Sequence, residues 1–444
     1  MKKNRFPKAR LFLLLSIMLL GSCTPMTAKP SQNGDLNGKV IASNLVRLTN
    51  LQVPQSDQQA LSDGNRAFTV NLYQKLRTGD GNLIFSPYSI SLALAMVSAG
   101  ARGDTASQIA AAMHFTLPPD RLHPAFNALD GYLESLGVVP KPTQPAPTDQ
   151  GGQDFRLKIA NSIWGQVNFS FLPAYLDLLA QNYGAGLRVV DFSGATETAR
   201  QAINNWVSQQ TEDKIKDLFP QGAIDSSTRL ALVSAIYFKA SWMILFEDFA
   251  TKTGVFHLKD GSQVSVPMMT SGYSASTYEK GDGFQAVGLP YLDQKTMMVI
   301  VLPDEGKFDQ FEAGLDIARL TAILNGLQGN HVNLTLPKFK IESSFSLNKM
   351  LGELGMPAAF DASQADFSGM DGRRDLFISQ AVHKAYVAVD EKGTEAAAAT
   401  GIAMATAAIL NPPEVKVDRP FLFFIYEQSA STVLFAGRVL NPIQ

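Results

Sequence analysis

The stretch that decides the reading is Asp390-Glu391-Lys392-Gly393-Thr394-Glu395-Ala396-Ala397-Ala398-Ala399-Thr400-Gly401-Ile402-Ala403-Met404-Ala405-Thr406-Ala407-Ala408-Ile409-Leu410-Asn411-Pro412-Pro413-Glu414. From Ala396 to Pro413 it holds eighteen residues without a charge. Intrinsic propensity favours a helix, because alanine loses no side-chain entropy there, and Thr394 is available to cap it. Alternation also allows a strand. One face would carry Thr394, Ala396, Ala398, Thr400, Ile402, Met404 and Thr406, all small or apolar, and the other Glu395 followed only by Ala and Gly. Either face enters a sheet without burying a charge if Glu395 points outward. On these residues alone, helix and strand both stand.

Outward from this stretch, strand-like runs occur at 155–163, 229–238, 284–292, 296–302, 331–341, 375–389, 421–427 and 432–438. Helical patterns occupy 63–76, with Phe68, Leu72 and Leu76 four apart, and then 89–99, 172–183, 196–210 and 346–354. Ser86-Pro87-Tyr88-Ser89 is a helix start signal, with a hydroxyl at the cap and proline early. Helices concentrate in the first half and strands in the second, which predicts a mixed α+β fold with large sheets. Val139 to Gly152 holds four prolines and reads as an exposed loop or insertion.

The N-terminus has a different character. Lys2, Lys3, Arg5, Lys8 and Arg10 precede an apolar run, Leu11 to Leu20, and then Gly21-Ser22-Cys23. This is the layout of a secretory signal over 1–22, with an apolar run too short to stay in a bilayer as a spanning helix. The ending resembles a bacterial lipoprotein box, which implies cleavage before Cys23 and a diacylglycerol on its thiol. Two or more acyl chains would hold the protein durably to a membrane surface. Residues 23–58 are rich in Ser, Asn, Gln, Gly and Pro, and read as a flexible tether to a folded domain over 59–444. The expected location is outside the cytoplasm, as a cell-envelope lipoprotein at the outer membrane or cell surface, or as an extracellular protein.

Composition removes several function classes. The 444 residues carry 38 Lys+Arg against 40 Asp+Glu, for a net charge of −2, and loss of residues 1–22 takes away five cations and no anion. Such a chain has no basic footprint for a nucleic-acid backbone. Cys23 is the one cysteine, so neither a disulfide framework nor a thiolate metal centre is available. The five histidines are scattered, and no metalloprotease pair, nucleophile elbow or phosphate loop occurs. The residues make no positive case for catalysis, a metal or a cofactor.

The run Glu391 to Thr400 resembles the reactive-loop hinge of an inhibitory serpin, and the likeness extends over roughly 60–444. It is carried further by Asn82-Leu-Ile-Phe-Ser-Pro-Tyr-Ser-Ile90, Asn161-Ser-Ile-Trp164, Ile203-Asn-Asn-Trp-Val207, Tyr237-Phe-Lys-Ala-Ser-Trp242, Leu336-Pro-Lys-Phe339, Asp418-Arg-Pro-Phe421 and Phe435-Ala-Gly-Arg-Val-Leu-Asn-Pro442, in the family's order. The resemblance implies three β-sheets, eight or nine helices and an exposed reactive-centre loop. It implies a monomer that is not an enzyme and traps a serine protease, or a cysteine protease, covalently, with no cofactor. The hinge is Glu391, Gly393, Thr394, Ala396 and Ala398, and the reactive bond falls at Ala407-Ala408, within a window from Met404 to Ile409. Small residues around that bond suit a shallow specificity pocket, so the expected target is elastase-like or subtilisin-like. Ser86, Ser89 and His383 match the family's shutter, where Ser234 replaces the usual Asn and threatens to leave His383 short of a partner. Trp242 and Lys307 match its breach, with Lys307 paired to Glu391. The alternative within the fold is a non-inhibitory serpin acting as a binding protein or chaperone, for which the small, uncharged hinge is ill suited.

Overall fold

The computed structural model describes residues 38–136, 155–394 and 412–443. In chain order they form β1 (Lys39–Ile41), α1 (Gln55–Leu76), β2 (Leu83–Phe85), α2 (Pro87–Ser98), α3 (Gly103–Ala112), α4 (Pro119–Leu136), β3 (Phe155–Gln166), α5 (Pro173–Tyr183), β4 (Leu187–Val190), α6 (Thr196–Gln210), β5 (Leu230–Ser241), β6 (Lys252–His257), β7 (Gln263–Gly281), β8 (Phe284–Pro290), β9 (Thr296–Pro303), α7 (Phe308–Ala313), α8 (Ile317–Gly326), β10 (Gln328–Pro337), β11 (Phe339–Ser346), α9 (Asn348–Glu353), α10 (Ser368–Asp371), β12 (Ile378–Asp390), β13 (Gly393–Thr394), β14 (Glu414–Lys416), β15 (Phe421–Glu427) and β16 (Thr432–Val439). The fold class is α+β, as expected. Cys23, the segment 1–22, the proline-rich stretch 139–152 and the hinge and bond residues Ala396, Ala398, Ala407 and Ala408 lie outside the described residues.

Two hydrogen-bonded sheets organise the described residues. One has the order β1-β4-β3-β5-β13-β12-β11, and the other runs β14-β10-β7-β8-β9-β15-β16-β2, with β6 also on β7. The expected third sheet is not separate. The nineteen-residue β7 pairs with β6 from Gln263 to Met268, with β10 from Met268 to Tyr278 and with β8 from Thr277 to Gly281, so the backbone ladder continues from one group of strands into the next. There are ten α-helices among the described residues, rather than eight or nine. The run expected as one strand over 331–341 is broken at Lys338, with β10 in the second sheet and β11 in the first.

Side-chain alternation along β5 builds the core on both faces of the first sheet. Ile236, Phe238 and Ala240 join the main apolar cluster between the sheets, while Val233, Ala235 and Tyr237 join a second cluster with Trp206, Ile203 and Val207 of α6. The segment before α1 also differs from the flexible tether expected through residue 58. β1 pairs antiparallel with β4, and Arg47 bonds Asp130 at 2.7 Å and the Asn127 side chain at 2.7 Å on α4. Helix α1 itself begins at Gln55. Backbone pairing and one arginine thus fasten residues that composition alone marks as loop.

A buried ion pair joins the last strand to the helices. Arg438 of β16 and Glu312 of α7 are 2.7 Å apart with both side chains 3 % exposed, and the Tyr73 hydroxyl donates to Glu312 at 2.7 Å. Removing one partner strands a charge in the interior, which costs about 3–5 kcal/mol. Arg438→Met is expected to lower the urea midpoint accordingly, and adding Glu312→Gln to recover part of the loss, because a neutral amide is cheaper to bury. Equal midpoints for wild type and Arg438→Met would refute this account of the pair.

Candidate functional site

The site is built where β5 meets β12. These strands pair in parallel from Leu230 with Ile378 up to Tyr237 with Tyr386, and beyond that level they separate around β13. Gly393 lies opposite Ser241 of β5 and Asp390 of β12, while Thr394 lies opposite Ala240 and Val389. The first two hinge residues are therefore already a strand in the first sheet. Of the two readings left open for the decisive stretch, the described part takes the strand.

Midway down the parallel ladder, the register sets His383 beside Ser234, and the antiparallel β3–β5 register sets Asn161 on the other side of Ser234. Helix α2 brings Ser86 and Ser89 to the same place, because the Ser86 side chain caps the helix by accepting the Ser89 N–H at 3.0 Å. The bonds then have one consistent direction. A backbone N–H only donates, so the Ser86 N–H at 3.0 Å makes His383 Nε2 the acceptor, and Nδ1 carries the proton. Nδ1 donates to Ser234 Oγ at 3.0 Å, Ser234 donates to Ser89 Oγ at 2.9 Å, and Ser89 donates to Asn161 Oδ1 at 2.9 Å. The Asn161 amide closes the chain by donating to the Ser89 carbonyl at 2.8 Å.

This answers the concern raised by Ser234: both nitrogens of His383 are satisfied. The structure brings together all four predicted shutter residues and adds Asn161, which the sequence reading quoted only as part of a match. A polar residue amid the apolar positions of a buried strand was the available signal. His383 is wholly buried, and burial pushes its pKa down to about 3, so the imidazole is neutral across the physiological range.

The top of the sheet is held by a second set of contacts. The Trp242 ring stacks on Tyr291 with centroids 4.7 Å apart and planes at 11°, and its indole N–H donates to the Asp390 carbonyl at 3.0 Å. The backbone N–H of Trp242 donates to the Lys392 carbonyl at 2.9 Å. Tyr291 and Thr394 share a hydrogen bond of 2.7 Å between their hydroxyls. Gly393 has φ +153°, and a Cβ there would lie 2.1 Å from the Ala240 carbonyl oxygen, so only glycine fits this close approach.

The expected pairing of Lys307 with Glu391 is not formed. Lys307 sits in the exposed turn before α7, whereas the 7 %-exposed Glu391 carboxylate meets Lys338 Nζ at 2.5 Å and accepts from Thr251 Oγ1 at 2.7 Å. The cause is the break between β10 and β11, which turns Lys338 out of both ladders beside the hinge. Burial pushes the Glu391 carboxyl up, but the Lys338 ammonium and the Thr251 hydroxyl outweigh it and hold it below its usual value. Among the described residues no group of three or more His, Cys, Asp or Glu side chains is placed to hold a metal ion.

The family "Serpin (serine protease inhibitor)" matches residues 63–442. Leukocyte elastase inhibitor of Homo sapiens is 39 % identical over 395 residues, covering 86 % of this chain and all of that protein. An uncharacterized serpin-like protein of Thermococcus kodakarensis is 34 % identical over 441 residues, covering 98 % of this chain and 99 % of its own length. Among solved structures, the thermophilic serpin tengpin in its native state superposes with a TM-score of 0.78 at 26 % identity, over 91 % of this chain and all of that one.

The neutral His383 makes the relay sensitive to acid. An unfolded histidine titrates near 6.5, and the folded one is held at about 3. The unfolded state therefore binds more protons between these values, so the site's contribution is complete above about pH 6.5 and is lost as pH falls toward 3. The urea midpoint of the native protein is expected to decline across that window, and His383→Gln to lower the plateau near neutrality while removing this part of the slope. An unchanged slope in the variant would rule out His383 as its source.

Proposed function

The chain belongs to the serpin family, and from that premise we propose that it is a suicide-substrate inhibitor of an extracellular serine protease rather than an enzyme. The observation that carries the proposal is β13. Gly393 and Thr394 already occupy the top of the slot between β5 and β12, and Ala396 onward has the composition to follow. In the proposed mechanism the protease's nucleophile attacks the loop and forms an acyl-enzyme. Before water releases it, the hinge enters the sheet and draws the acylated protease away.

The register gives this path physical content. Each inserted residue exchanges part of one parallel ladder for antiparallel ladders on both sides, and antiparallel pairing is slightly more stable per residue. Continued downward from Thr394, the register brings Thr400 level with both Ser234 and His383. Insertion that parts those two thus delivers a hydroxyl between them. From Thr394 to Ala407 the strand would extend about 46 Å at about 3.3 Å per residue. The native state is then held by a kinetic barrier rather than by being the most stable form.

The reactive bond is Ala407-Ala408 within 404–409, and its small residues favour an elastase-like or subtilisin-like protease. Residues 1–22 direct export in a bacterium, and lipid on Cys23 holds the protein at the cell envelope. No helix among the described residues is long and apolar enough to cross a membrane. In this reading the anchor is the lipid on Cys23.

Incubation with elastase or subtilisin should give a complex stable in denaturing gels and release a C-terminal peptide beginning at or near Ala408. Ala396→Arg places a charge on the inward face of the inserting strand. It should divert the protein to plain cleavage, and a full yield of complex from this variant would refute the insertion mechanism. Separately, Cys23→Ser should abolish incorporation of labelled fatty acid and move the protein from the membrane fraction to the soluble one. Labelling that survives the substitution would exclude Cys23 as the anchor.

A further inference from the structure

The register at the top of the first sheet identifies the neighbours of the next residue to enter. Thr394 lies opposite Ala240 and Val389, so a strand continuing from it sets Glu395 opposite Lys239 of β5 and Ala388 of β12. In the adjoining strands Arg156 of β3 pairs with Lys239, and Lys340 of β11 pairs with Ala388. One row across the sheet thus reads Arg156, Lys239, the entering position, Ala388, Lys340. Three of its four described members are cations.

The side of the sheet is also determined. Thr394 points into the main core, where its hydroxyl meets Tyr291, so in a strand continued from it the next position would face the opposite side of the sheet. Lys239 occupies that same face, since it alternates with Phe238 and Ala240 of the main core and follows Tyr237 of the α6-side cluster. Residues directly opposite in an antiparallel pair have Cβ atoms about 4.5–5.5 Å apart, within easy reach of a lysine and a glutamate. Arg156 and Lys340 are one further strand away, at roughly 10 Å. Arg156 Nη1 lies 3.0 Å from each oxygen of Glu212, which tempers its charge, and the Lys340 ammonium lies 5.2 Å from the centroid of the Tyr386 ring. Lys239, directly opposite the entering position and one strand nearer than Arg156 or Lys340, is the principal cation for an acidic residue there.

We propose that Lys239, with Arg156 and Lys340 on either side, is the receiving site for the Glu395 carboxylate and favours the first step of hinge entry over release of the cleaved loop. The inference rests on the proposed insertion mechanism and names the residue that guides its beginning. Lys239 is a positioning residue: it touches neither protease nor scissile bond. An otherwise uncharged segment with one carboxylate gains from it a register marker, because a shift by one residue would turn Glu395 into the core.

The test is a charge exchange read by the stoichiometry of inhibition, the moles of inhibitor consumed per mole of protease inactivated. Lys239→Glu and Glu395→Lys should each raise this stoichiometry several-fold, with little change in the rate of loop attack, and the double exchange should bring it back toward wild type. Equal stoichiometry for wild type and Lys239→Glu, or a double variant worse than both singles, would overturn the assignment. A second measurement separates this inference from the inhibitory function. Wild type and variants are cut in the loop by a protease that need not be trapped, and the gain in Tm on cleavage is recorded. If wild type gains stability without forming a covalent complex, the inhibitory reading fails while the site stays testable. A smaller gain for Lys239→Glu, restored in the double exchange, supports the site, and an equal gain in all variants refutes it. No gain in wild type refutes both.

Discussion

The parallel ladder between β5 and β12 is the constraint on which the rest of this structure depends. Its strands are central in a seven-stranded sheet, so both faces are covered, one by the main core and one by the cluster beneath α6. β13 enters the sheet where the two strands diverge, with Gly393 and Thr394 paired to both of them. Below that level the slot is closed by the direct pairing of β5 with β12, from Tyr237 with Tyr386 down to Leu230 with Ile378. Serpin inhibition as proposed here requires both that closure and its reversal.

What holds the ladder shut is a chain of polar groups, and its strength comes from direction. Ser86, His383, Ser234, Ser89 and Asn161 give and accept in turn, and no buried side-chain nitrogen or oxygen among them lacks a hydrogen-bond partner. Inside a protein such a network is worth keeping only when complete, because each orphaned buried group costs about 1–3 kcal/mol. Parting β5 from β12 breaks the bond between Ser234 and His383. That local cost raises the barrier to opening, and the hydroxyl of Thr400 would offset it only after six further residues had entered.

Much of this was legible in the sequence. The buried strands at the centre of each sheet announced themselves as apolar runs, and Ser86-Pro87 marked the start of α2 because capping is a local interaction. The departures share a physical origin in long-range pairing. β1 is three residues long, and nothing local distinguishes it from a tether; it is a strand because β4 offers an edge. β7 joins what were expected as separate sheets because three partners share its length. Lys338 rather than Lys307 meets Glu391 because a strand break redirects the chain, and no spacing along the sequence measures that distance. Asn161 escaped notice as a member of the relay for the same reason, since its partner Ser89 is 72 positions away.

By itself, the amino-acid sequence determined the α+β class, the family resemblance, the uncharged alternation after Glu391 and the residue types gathered at the shutter. These are properties of composition and of short periodicities, which a backbone carries with it into any fold. Only the tertiary structure decided that the hinge begins as a strand, that Ser234 satisfies His383 and in which direction the protons point. It also decided that Lys239 stands opposite the next residue to enter. Each of those depends on which strands become neighbours and in what register, and register is fixed by packing across the whole sheet rather than by the residues on either side of a bond.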